Sequence, residues 1–432
     1  MGSSLAFHII FASLGVGLPL LLLIVEGLSL RPGADPSWRQ LARRWSKAFG
    51  ILFAVGAVSG TVLSFELGLL WPGFMRFAGG IIGLPFSMEG FAFFIEAIFL
   101  GLYLYGWERL SPRAHWLTTV PLAVSGAASA WFVTTANAWM NSPTGFRLVA
   151  GRVTDVHPLQ AIFNAGTPIE TLHTTISSYL ATGFAVAAVY AAGILRGRKG
   201  GLHRRGLIVG LALGAVCTPL QIVSGDLNAR WVAEHQPIKL AAMEGQFQTE
   251  TGAPLRIGGL PDPAAGVTRF AVEIPGGLSL LAYGDITRTV RGLNSYAADQ
   301  RPDPRMVHVS FQVMVAIGFG LLGLVIWFFG GLWARRRVPD SRLMLALVTL
   351  SGFAAFVAVE AGWMVTELGR QPWIIYGLVR TSQAITPAPG LVVSFLVSIA
   401  IYIGLAIALV VLLLRLAAGT RRQETAGALA DK

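Results

Sequence analysis

Nine long apolar runs constrain the fold of this chain more than any other feature. The hydrocarbon core of a bilayer is about 30 Å thick and is crossed by about 20 apolar residues in a helix. The runs cover approximately 4–30, 47–70, 87–107, 117–140, 170–195, 205–224, 307–333, 343–366 and 391–415. Only 13% of the residues are charged, about half the usual share in a soluble protein. The sequence therefore predicts an all-α polytopic membrane protein with nine transmembrane helices.

The basic residues are divided unequally between the two sets of loops. One side holds Arg31, Arg39, Arg43, Arg44, Lys47, Arg109, Arg113, Arg196, Arg198, Lys199, Arg204, Arg205, Arg335, Arg336, Arg337, Arg342 and the tail. The opposite short loops hold only Arg76, Arg147, Arg152, Arg370 and Arg380. The positive-inside rule then predicts that the N-terminus is outside and the C-terminus inside. Because this asymmetry accounts for most of the net charge of +11, we expect a lipid bilayer and no nucleic acid as partner.

The lengths of the connections indicate four segments. Residues 1–224 are predicted to carry helices one to six, and 225–306 to form a long outer-side loop. Residues 307–416 are predicted to carry helices seven to nine, followed by a cytoplasmic polar tail at 417–432. Long loops in compact proteins are often functional. Cys217 is the one cysteine, which excludes an internal disulfide, a cysteine-based iron–sulfur cluster and the two-cysteine heme attachment motif.

Several ionisable side chains lie within the apolar runs, where they are expensive and often functional. They are His8, Glu26, Glu66, Glu89, Glu96, His173 and Glu360, and Met314 joins them as a possible soft ligand. The predicted orientation puts all of these except Glu26 in the outer half of the membrane. Glu89 and Glu96 are seven residues apart, so they share one helix face.

Histidine, methionine and glutamate in apolar helices are compatible with heme. A His/Met pair makes a six-coordinate electron-transfer heme, whereas a single ligand leaves the sixth position open for a gas. Other interpretations stay open at this point. A lone methionine is more often packing than a ligand, and a lone histidine or glutamate can equally carry protons or bond a neighbouring helix. Zinc is less favoured, because no His-x-x-x-His or Cys-x-x-Cys spacing occurs among these residues.

Longer motifs surround these residues. They include FHIIFASLGVG at His8, MEGFAFFIEAIFLGLYLYGWERL at Glu89 and Glu96, TTANAWMNSP at 134–143, ETLHTTISSYLATGF at His173, SGDLNAR at Asp226, KLAAMEGQF at Lys239 and Glu244, FQVMVAIGF at Met314 and VEAGWMVTELGRQPW at Glu360. Through these motifs, nearly the whole chain resembles subunit I of the cytochrome bd-type quinol oxidases. The resemblance implies a quinol:dioxygen oxidoreductase of the bacterial cytoplasmic membrane.

The resemblance also implies three hemes and their ligands. His173 and Met314 would be the axial ligands of a low-spin heme b. His8 and Glu360 would be the proximal ligands of two high-spin hemes, one heme b and the other heme d or a third heme b. Which of the two residues holds which high-spin heme is left open. Arg370 is predicted to contact a heme propionate, since arginine suits bidentate carboxylate recognition.

Catalytic roles and partners follow from the same resemblance. Glu89 and Glu96 would supply protons or contact a high-spin heme on its distal side. Lys239 and Glu244 lie in the outer loop at the spacing the family uses for quinol oxidation, and this loop corresponds to its short Q-loop. The implied partners are quinol, dioxygen, a second membrane subunit (subunit II) and a small single-helix accessory subunit.

Four features depart from well-known members of that family. Gln312 replaces an arginine two residues before the methionine ligand, and Phe356 replaces a tryptophan four residues before the glutamate ligand. The Glu89–Glu96 spacing is seven rather than eight, and LGLLWP at 67–72 replaces a more polar stretch. These differences are typical of the cyanide-insensitive branch.

The sequence therefore favours a terminal oxidase that oxidises quinol outside and reduces dioxygen to water, taking up protons from the inside without a pump. One alternative is a membrane cytochrome b that carries electrons without an oxygen-reducing site of its own. Another is a proton-coupled transporter that uses the buried carboxylates, which predicts no heme.

Overall fold

The computed structural model describes residues 1–198, 200–387 and 389–430, and in these ranges nine helices are long and apolar enough to cross a membrane. The helices are α1 Gly2–Ser29, α2 Ser37–Leu70, α3 Pro72–Tyr105, α4 Pro112–Leu117, α5 Thr119–Asn141, α6 Pro158–Ile162, α7 Thr167–Leu195, α8 Gly201–His235, α9 Pro237–Met243, α10 Gly277–Tyr283, α11 Pro304–Arg335, α12 Arg342–Gly369, α13 Thr381–Ala384 and α14 Leu391–Ala430. The predicted all-α membrane fold is confirmed. Lys199 and the last two residues of the predicted tail, 431 and 432, lie outside the described residues.

Several helices are longer than their apolar runs, and two of them, α3 and α8, change where predicted boundaries fall. Helix α3 begins at Pro72 rather than at 87, so Glu89 lies near its middle. Helix α8 continues to His235, so the predicted loop boundary at 225 falls inside a helix. Its last turns are polar, and Arg230 bonds Asp226 one turn earlier at 2.8 Å. Hydropathy detects the part of a helix that faces hydrocarbon, and the polar extension of α8 therefore escapes it.

The connection between α8 and α11 is a small folded unit of hairpins and short helices. Its strands are β3 Glu250–Thr251, β4 Leu255–Ile257, β5 Leu260–Asp262, β6 Val267–Arg269, β7 Val272–Ile274 and β8 Thr289–Val290. Four further strands lie elsewhere in the chain: β1 Arg147–Val149, β2 Arg152–Thr154, β9 Trp373–Ile375 and β10 Val379–Arg380. Strand pairs β3–β8, β4–β7 and β5–β6 are antiparallel. A core that includes Leu240, Phe247 and Leu278 fixes this unit on the ends of α8 and α11.

The long helices pack around α1 and α7. Helix α1 contacts α2, α5 and α7, and α7 contacts α8 and α12. The main core contains Leu21, Phe49, Phe184, Phe328 and Val348 from five of these helices. Helix α14 packs chiefly on α2 and leaves most of its apolar side chains exposed. The candidate ligands His8 and His173 thus lie on the two central helices.

Candidate functional site

His8 lies on α1 and faces a Ser-Gly step of α2. Its Nδ1 is 2.9 Å from Oγ of Ser59, and Ser59 itself lies 3.0 Å from the carbonyl of Gly56. A Cβ added to Gly60 would lie 2.9 Å from Cε1 of His8. Only glycine therefore leaves room for the imidazole at this crossing.

His173 lies on α7 and faces a second Ser-Gly step on α8. Its Nδ1 is 3.0 Å from Oγ of Ser224, and that hydroxyl lies 3.0 Å from the carbonyl of Gln221. A Cβ on Gly225 would lie 3.4 Å from Cε1 of the ring. The Gln221 amide nitrogen is 3.0 Å from Nε2, where it finds an acceptor lone pair.

The hydrogen-bond directions fix the tautomer of both rings. A hydroxyl has one hydrogen, and a backbone carbonyl can only accept. Ser59 and Ser224 each use that hydrogen on a carbonyl, so His8 and His173 must donate from Nδ1. Nε2 then carries the lone pair in both residues. This is the arrangement found in metal-binding histidines, where the second nitrogen donates to an outer partner.

The sequence contained a signal for this arrangement that was not recognised. The tripeptide Val-Ser-Gly occurs at 58–60 and 223–225, opposite His8 and His173, and again at 124–126. In the third copy a Cβ on Gly126 would lie 3.3 Å from Oε1 of Glu96. The three steps thus face three of the predicted site residues.

Met314 and Glu360 are half-buried and lie on neighbouring helices, α11 and α12. The Met314 sulfur lies 3.1 Å from the position that a Cβ on Gly362 would take. Oε1 of Glu360 is buried without a hydrogen-bond partner. A buried carboxylate oxygen without a partner is costly unless a cation or donor approaches it.

Glu96 is buried between three helices, whereas Glu89 is only partly buried on the same face of α3. Oε1 of Glu96 has no hydrogen-bond partner. It lies 3.8 Å from the position of a Cβ on Gly15, two turns along α1 from His8. Two glycines, Gly15 and Gly126, therefore make room for this carboxylate.

Arg370 and Lys239 meet in a buried polar cluster that also contains unpredicted residues. Nζ of Lys239 and Nη1 of Arg370 both donate to Oδ1 of Asn141, each at 3.2 Å. The Asn141 amide group donates to the Glu170 carboxylate at 3.1 Å. Glu367 accepts from Nη2 of Arg370 at 2.5 Å. Nε of Arg370 is left without a partner.

Asn141, Glu170 and Glu367 were not predicted. All three stand in the quoted motifs, TTANAWMNSP, ETLHTTISSYLATGF and VEAGWMVTELGRQPW. Asn137, in the first of these motifs, donates to the remaining oxygen of Glu367 at 2.5 Å. The role of Asn141, whose side-chain oxygen accepts from both Lys239 and Arg370, can be recognised only from the packing of the helices.

Glu244 lies on a different side of α9 from Lys239, and no hydrogen bond or ion pair joins the two among the described residues. Oε2 of Glu244 is buried without a partner. Burial raises the pKa of this carboxyl to about 7, and the nearby Arg256 guanidinium opposes the rise. Glu244 can thus exchange a proton near neutral pH.

The pKa of Lys239 moves in the opposite direction. Burial lowers it to about 8, while the Glu170 carboxylate partly counteracts the fall. Lys239 is therefore charged at pH 7 but close to its titration midpoint. The folded unit between α8 and α11, called the cap from here on, thus presents a cation and a carboxyl that both titrate within about one unit of neutrality.

Comparison with known proteins decides the family. The sequence profile described as Cytochrome bd terminal oxidase subunit I matches residues 1–420. The chain belongs to this family. A putative cytochrome bd menaquinol oxidase subunit I from Bacillus subtilis (strain 168) is 38% identical to this cytochrome bd subunit over 420 residues, 96% of this chain and 94% of the relative.

Two further matches extend over the same length. The cytochrome bd-II ubiquinol oxidase subunit 1 of Escherichia coli (strain K12) is 30% identical over 447 residues, covering 88% of this cytochrome bd subunit and 87% of the relative. The solved structure of the bd oxidase from Geobacillus thermodenitrificans has a TM-score of 0.90 at 38% identity. It covers 98% of this chain and 96% of that one.

Membership in a cytochrome bd family implies heme, and the donor set fits this group. Among residues 1–198, 200–387 and 389–430, no three His, Cys, Asp or Glu side chains come together as a metal site. A heme iron needs only axial ligands from the protein. His8 and His173 each offer Nε2, which in His173 lies 3.0 Å from the Gln221 amide nitrogen, and Glu360 offers a buried oxygen without a partner.

Proposed function

We propose that this cytochrome bd subunit oxidises quinol at the outer side of a bacterial cytoplasmic membrane and serves the reduction of dioxygen to water. The relatives are named as menaquinol and ubiquinol oxidases. The observation that carries the proposal is the shared arrangement of His8 and His173. Each donates Nδ1–H to a serine, so that a metal would take the Nε2 lone pair, which in His173 accepts from the Gln221 amide at 3.0 Å.

The proposed heme ligands follow the sequence prediction. His173 and Met314 hold a low-spin heme b, and His8 and Glu360 hold the two high-spin hemes, one of them heme b and the other heme d or a third heme b. When bound, the hemes accept electrons one at a time and provide the site for dioxygen. Ser59 and Ser224 would hold the His8 and His173 rings in place for binding heme iron. Arg370 keeps Nε available for a heme propionate.

The cap is proposed to bind and deprotonate quinol. Glu244 is the base, because a carboxyl with a pKa of about 7 accepts a proton at neutral pH and releases it again. Lys239 donates a hydrogen bond to a quinone oxygen. Its side chain is already oriented by Asn141. The two groups lie on different sides of α9, so quinol would bind across the end of this short helix.

Protons for water formation are proposed to arrive from the inside and to reach the active site through Glu96, with Glu89 as a second carboxylate on the same helix face. Release outside and uptake inside separate charge without a pump. This scheme depends on the proposed orientation, with the N-terminus outside and the C-terminus inside.

The proposed partners are subunit II and a small single-helix accessory subunit. The exposed apolar side chains of α3 and α14, including Phe91, Phe94 and Phe395, are compatible with lipid or with such subunits. The proposed subunits would thus contact this chain through its membrane-spanning helices.

Two measurements on the purified complex test the function. A reduced-minus-oxidised visible spectrum is expected to show heme, and a quinol analogue is expected to drive dioxygen consumption. A heme spectrum without oxygen consumption would favour the alternative, a membrane cytochrome b that only carries electrons. Absence of heme would contradict both interpretations.

A further inference from the structure

A buried acid–base pair lies at the end of α1 opposite to His8. Oε1 of Glu26 is 2.6 Å from Nδ1 of His115, and both side chains are almost fully buried. Nε2 of His115 is 2.9 Å from the backbone carbonyl of Tyr103. Helices α1, α3 and α4 thus meet at this pair.

The geometry allows the protons of the pair to be counted. The Tyr103 carbonyl can only accept, so Nε2 of His115 carries a hydrogen. One more proton must lie between Nδ1 and Oε1 of Glu26, whether on the ring or on the carboxyl. The pair is neutral in either form and holds one proton that can move. Oε2 of Glu26 has no hydrogen-bond partner and can receive another.

Two further oxygens continue from this pair toward the middle of the bundle. The Tyr103 hydroxyl is fully buried, has no hydrogen-bond partner and lies within electrostatic reach of Glu26. Tyr103 lies seven residues after Glu96 on the same face of α3. The two residues are separated by about 10 Å of helix. Oε1 of Glu96 also lacks a partner.

We propose that Glu26 and His115 are the entry of the proton path that serves Glu96, with Tyr103 as the relay between them. A proton taken up at Glu26 passes to the Tyr103 oxygen as that hydroxyl gives its own hydrogen to water, which carries a proton across the remaining distance to Glu96. The number of protons is conserved at each transfer. The inference rests on the proposed function, which requires uptake from the inside.

A purely structural role explains only part of the observations. An ion pair that fastens α4 to α1 accounts for the 2.6 Å contact. It does not account for the Tyr103 hydroxyl buried beside Glu26, or for the buried oxygen of Glu96 without a partner. The charged groups that the Trp107 ring brings to this region are Arg39 and Arg43, which lie over that ring, and Glu108, which pairs with Arg43. Trp107 in turn packs against His115 with ring centroids 4.1 Å apart.

The test compares Glu26→Gln with wild type in the complete complex, reconstituted in liposomes. Glutamine can still bond Nδ1 of His115 but cannot carry a proton. Quinol-driven oxygen consumption is expected to fall at least tenfold, with an increased solvent deuterium isotope effect. The visible spectrum and the reduction of heme by quinol without oxygen should not change. Glu26→Asp restores a carboxyl and is expected to recover at least a third of the wild-type rate.

Asp35→Asn is the matched control, because it removes an exposed carboxylate from the loop after the same helix. Its turnover should stay within twofold of wild type. Glu26→Gln with wild-type turnover would overturn the inference, as would Glu26→Asp with turnover as low as Glu26→Gln. An inactive wild type would overturn the proposed function together with this inference, whereas an active wild type matched by Glu26→Gln overturns this inference alone.

A second variant covers the case in which Glu26→Gln does not assemble. His115→Ala removes the ring and leaves a space that imidazole in solution can enter. Added imidazole is expected to raise its turnover at least fivefold with an unchanged spectrum. Turnover that does not respond to imidazole would also overturn the proposed entry.

Discussion

His173 donates from Nδ1 to the Ser224 hydroxyl, 3.0 Å away on the neighbouring helix α8. The serine hydrogen is in turn committed to the Gln221 carbonyl. The bond therefore runs in one direction, and it determines which ring nitrogen faces outward for a ligand. The same relationship between His8 and Ser59 links α1 to α2.

Ser224→Ala is expected to weaken low-spin heme binding by about 10- to 100-fold, the usual cost of losing an outer partner of a metal-binding histidine. The fold should survive, because only a hydroxyl is removed. Heme content and the low-spin band of the visible spectrum measure the effect. Ser178→Ala is the matched control, since this buried serine of α7 bonds only the Thr174 carbonyl of its own helix. Equal heme content in both variants would contradict the role of Ser224.

Met314→Leu is expected to abolish the low-spin heme signal while the high-spin bands remain. Leucine keeps the volume of the side chain but cannot bind iron. The change in packing is small, since swaps of similar volume usually cost less than about 1.5 kcal/mol. Met364→Leu on α12 is a suitable control, because that sulfur only accepts a weak contact from Ser310 at 3.8 Å. Low-spin absorbance that is unchanged in Met314→Leu would refute the ligand assignment.

Two glutamates on α12 compete for the role of high-spin heme ligand. Glu360 has a buried oxygen without a partner, whereas both oxygens of Glu367 are bonded, to Asn137 and Arg370. We therefore expect Glu360→Gln to remove one high-spin signal and Glu367→Gln to leave it. The visible spectra of the two variants, recorded side by side, decide between them. If only Glu367→Gln loses the signal, the ligand is Glu367.

The nine helices could be predicted because hydropathy is a local property of each run. The contacts that orient the site residues are not local. Ser59 lies 51 positions from His8, and Ser224 lies 51 positions from His173. The composition of either helix does not show which polar residue faces the other. Only the repeated Val-Ser-Gly step offered a local signal of those crossings.

The Asn141 cluster was missed for a related reason. A lone asparagine near the end of an apolar run is indistinguishable from a helix-ending residue in sequence. Its role depends on Lys239 and Arg370, 98 and 229 positions away. The family resemblance identified Lys239 and Arg370 as candidate site residues, whereas only the packing of the helices identified Asn141 as their common acceptor.

Asn141→Leu is expected to destabilise the cap and the C-terminal end of α12, where Arg370 lies. Leucine fills the space but leaves Lys239, Arg370 and Glu170 without an uncharged partner. Removing one partner of a buried polar group costs about 1–3 kcal/mol, and more for charged groups. A lower thermal midpoint of the complex and a higher KM for quinol are expected together. Asn294→Leu, at an exposed position of the cap, should leave both values close to wild type. A wild-type midpoint in Asn141→Leu would show that the cluster is not a stabilising contact.

The pH dependence of quinol oxidation follows from two pKa shifts in the cap. Burial raises the pKa of Glu244 to about 7, so the carboxylate that acts as base forms only as the pH rises through 7. Burial lowers the pKa of Lys239 to about 8, so its charge is lost as the pH rises through 8. We expect kcat/KM for quinol to increase up to about pH 7 and to decrease above about pH 8.

The two limbs of this profile can be separated by substitution. Glu244→Gln should lower kcat/KM by about 100-fold or more, within the usual range for loss of a general base, and should remove the acidic limb. Lys239→Met should remove the alkaline limb and leave the acidic one, since its side chain fills the same space without the charge. Asp285→Asn is the control, because this exposed carboxylate of the cap accepts from Thr287 and not from a residue beside Glu244. An acidic limb that persists in Glu244→Gln would assign the base to another residue. Because each variant removes one titrating group, each pH profile tests that group alone.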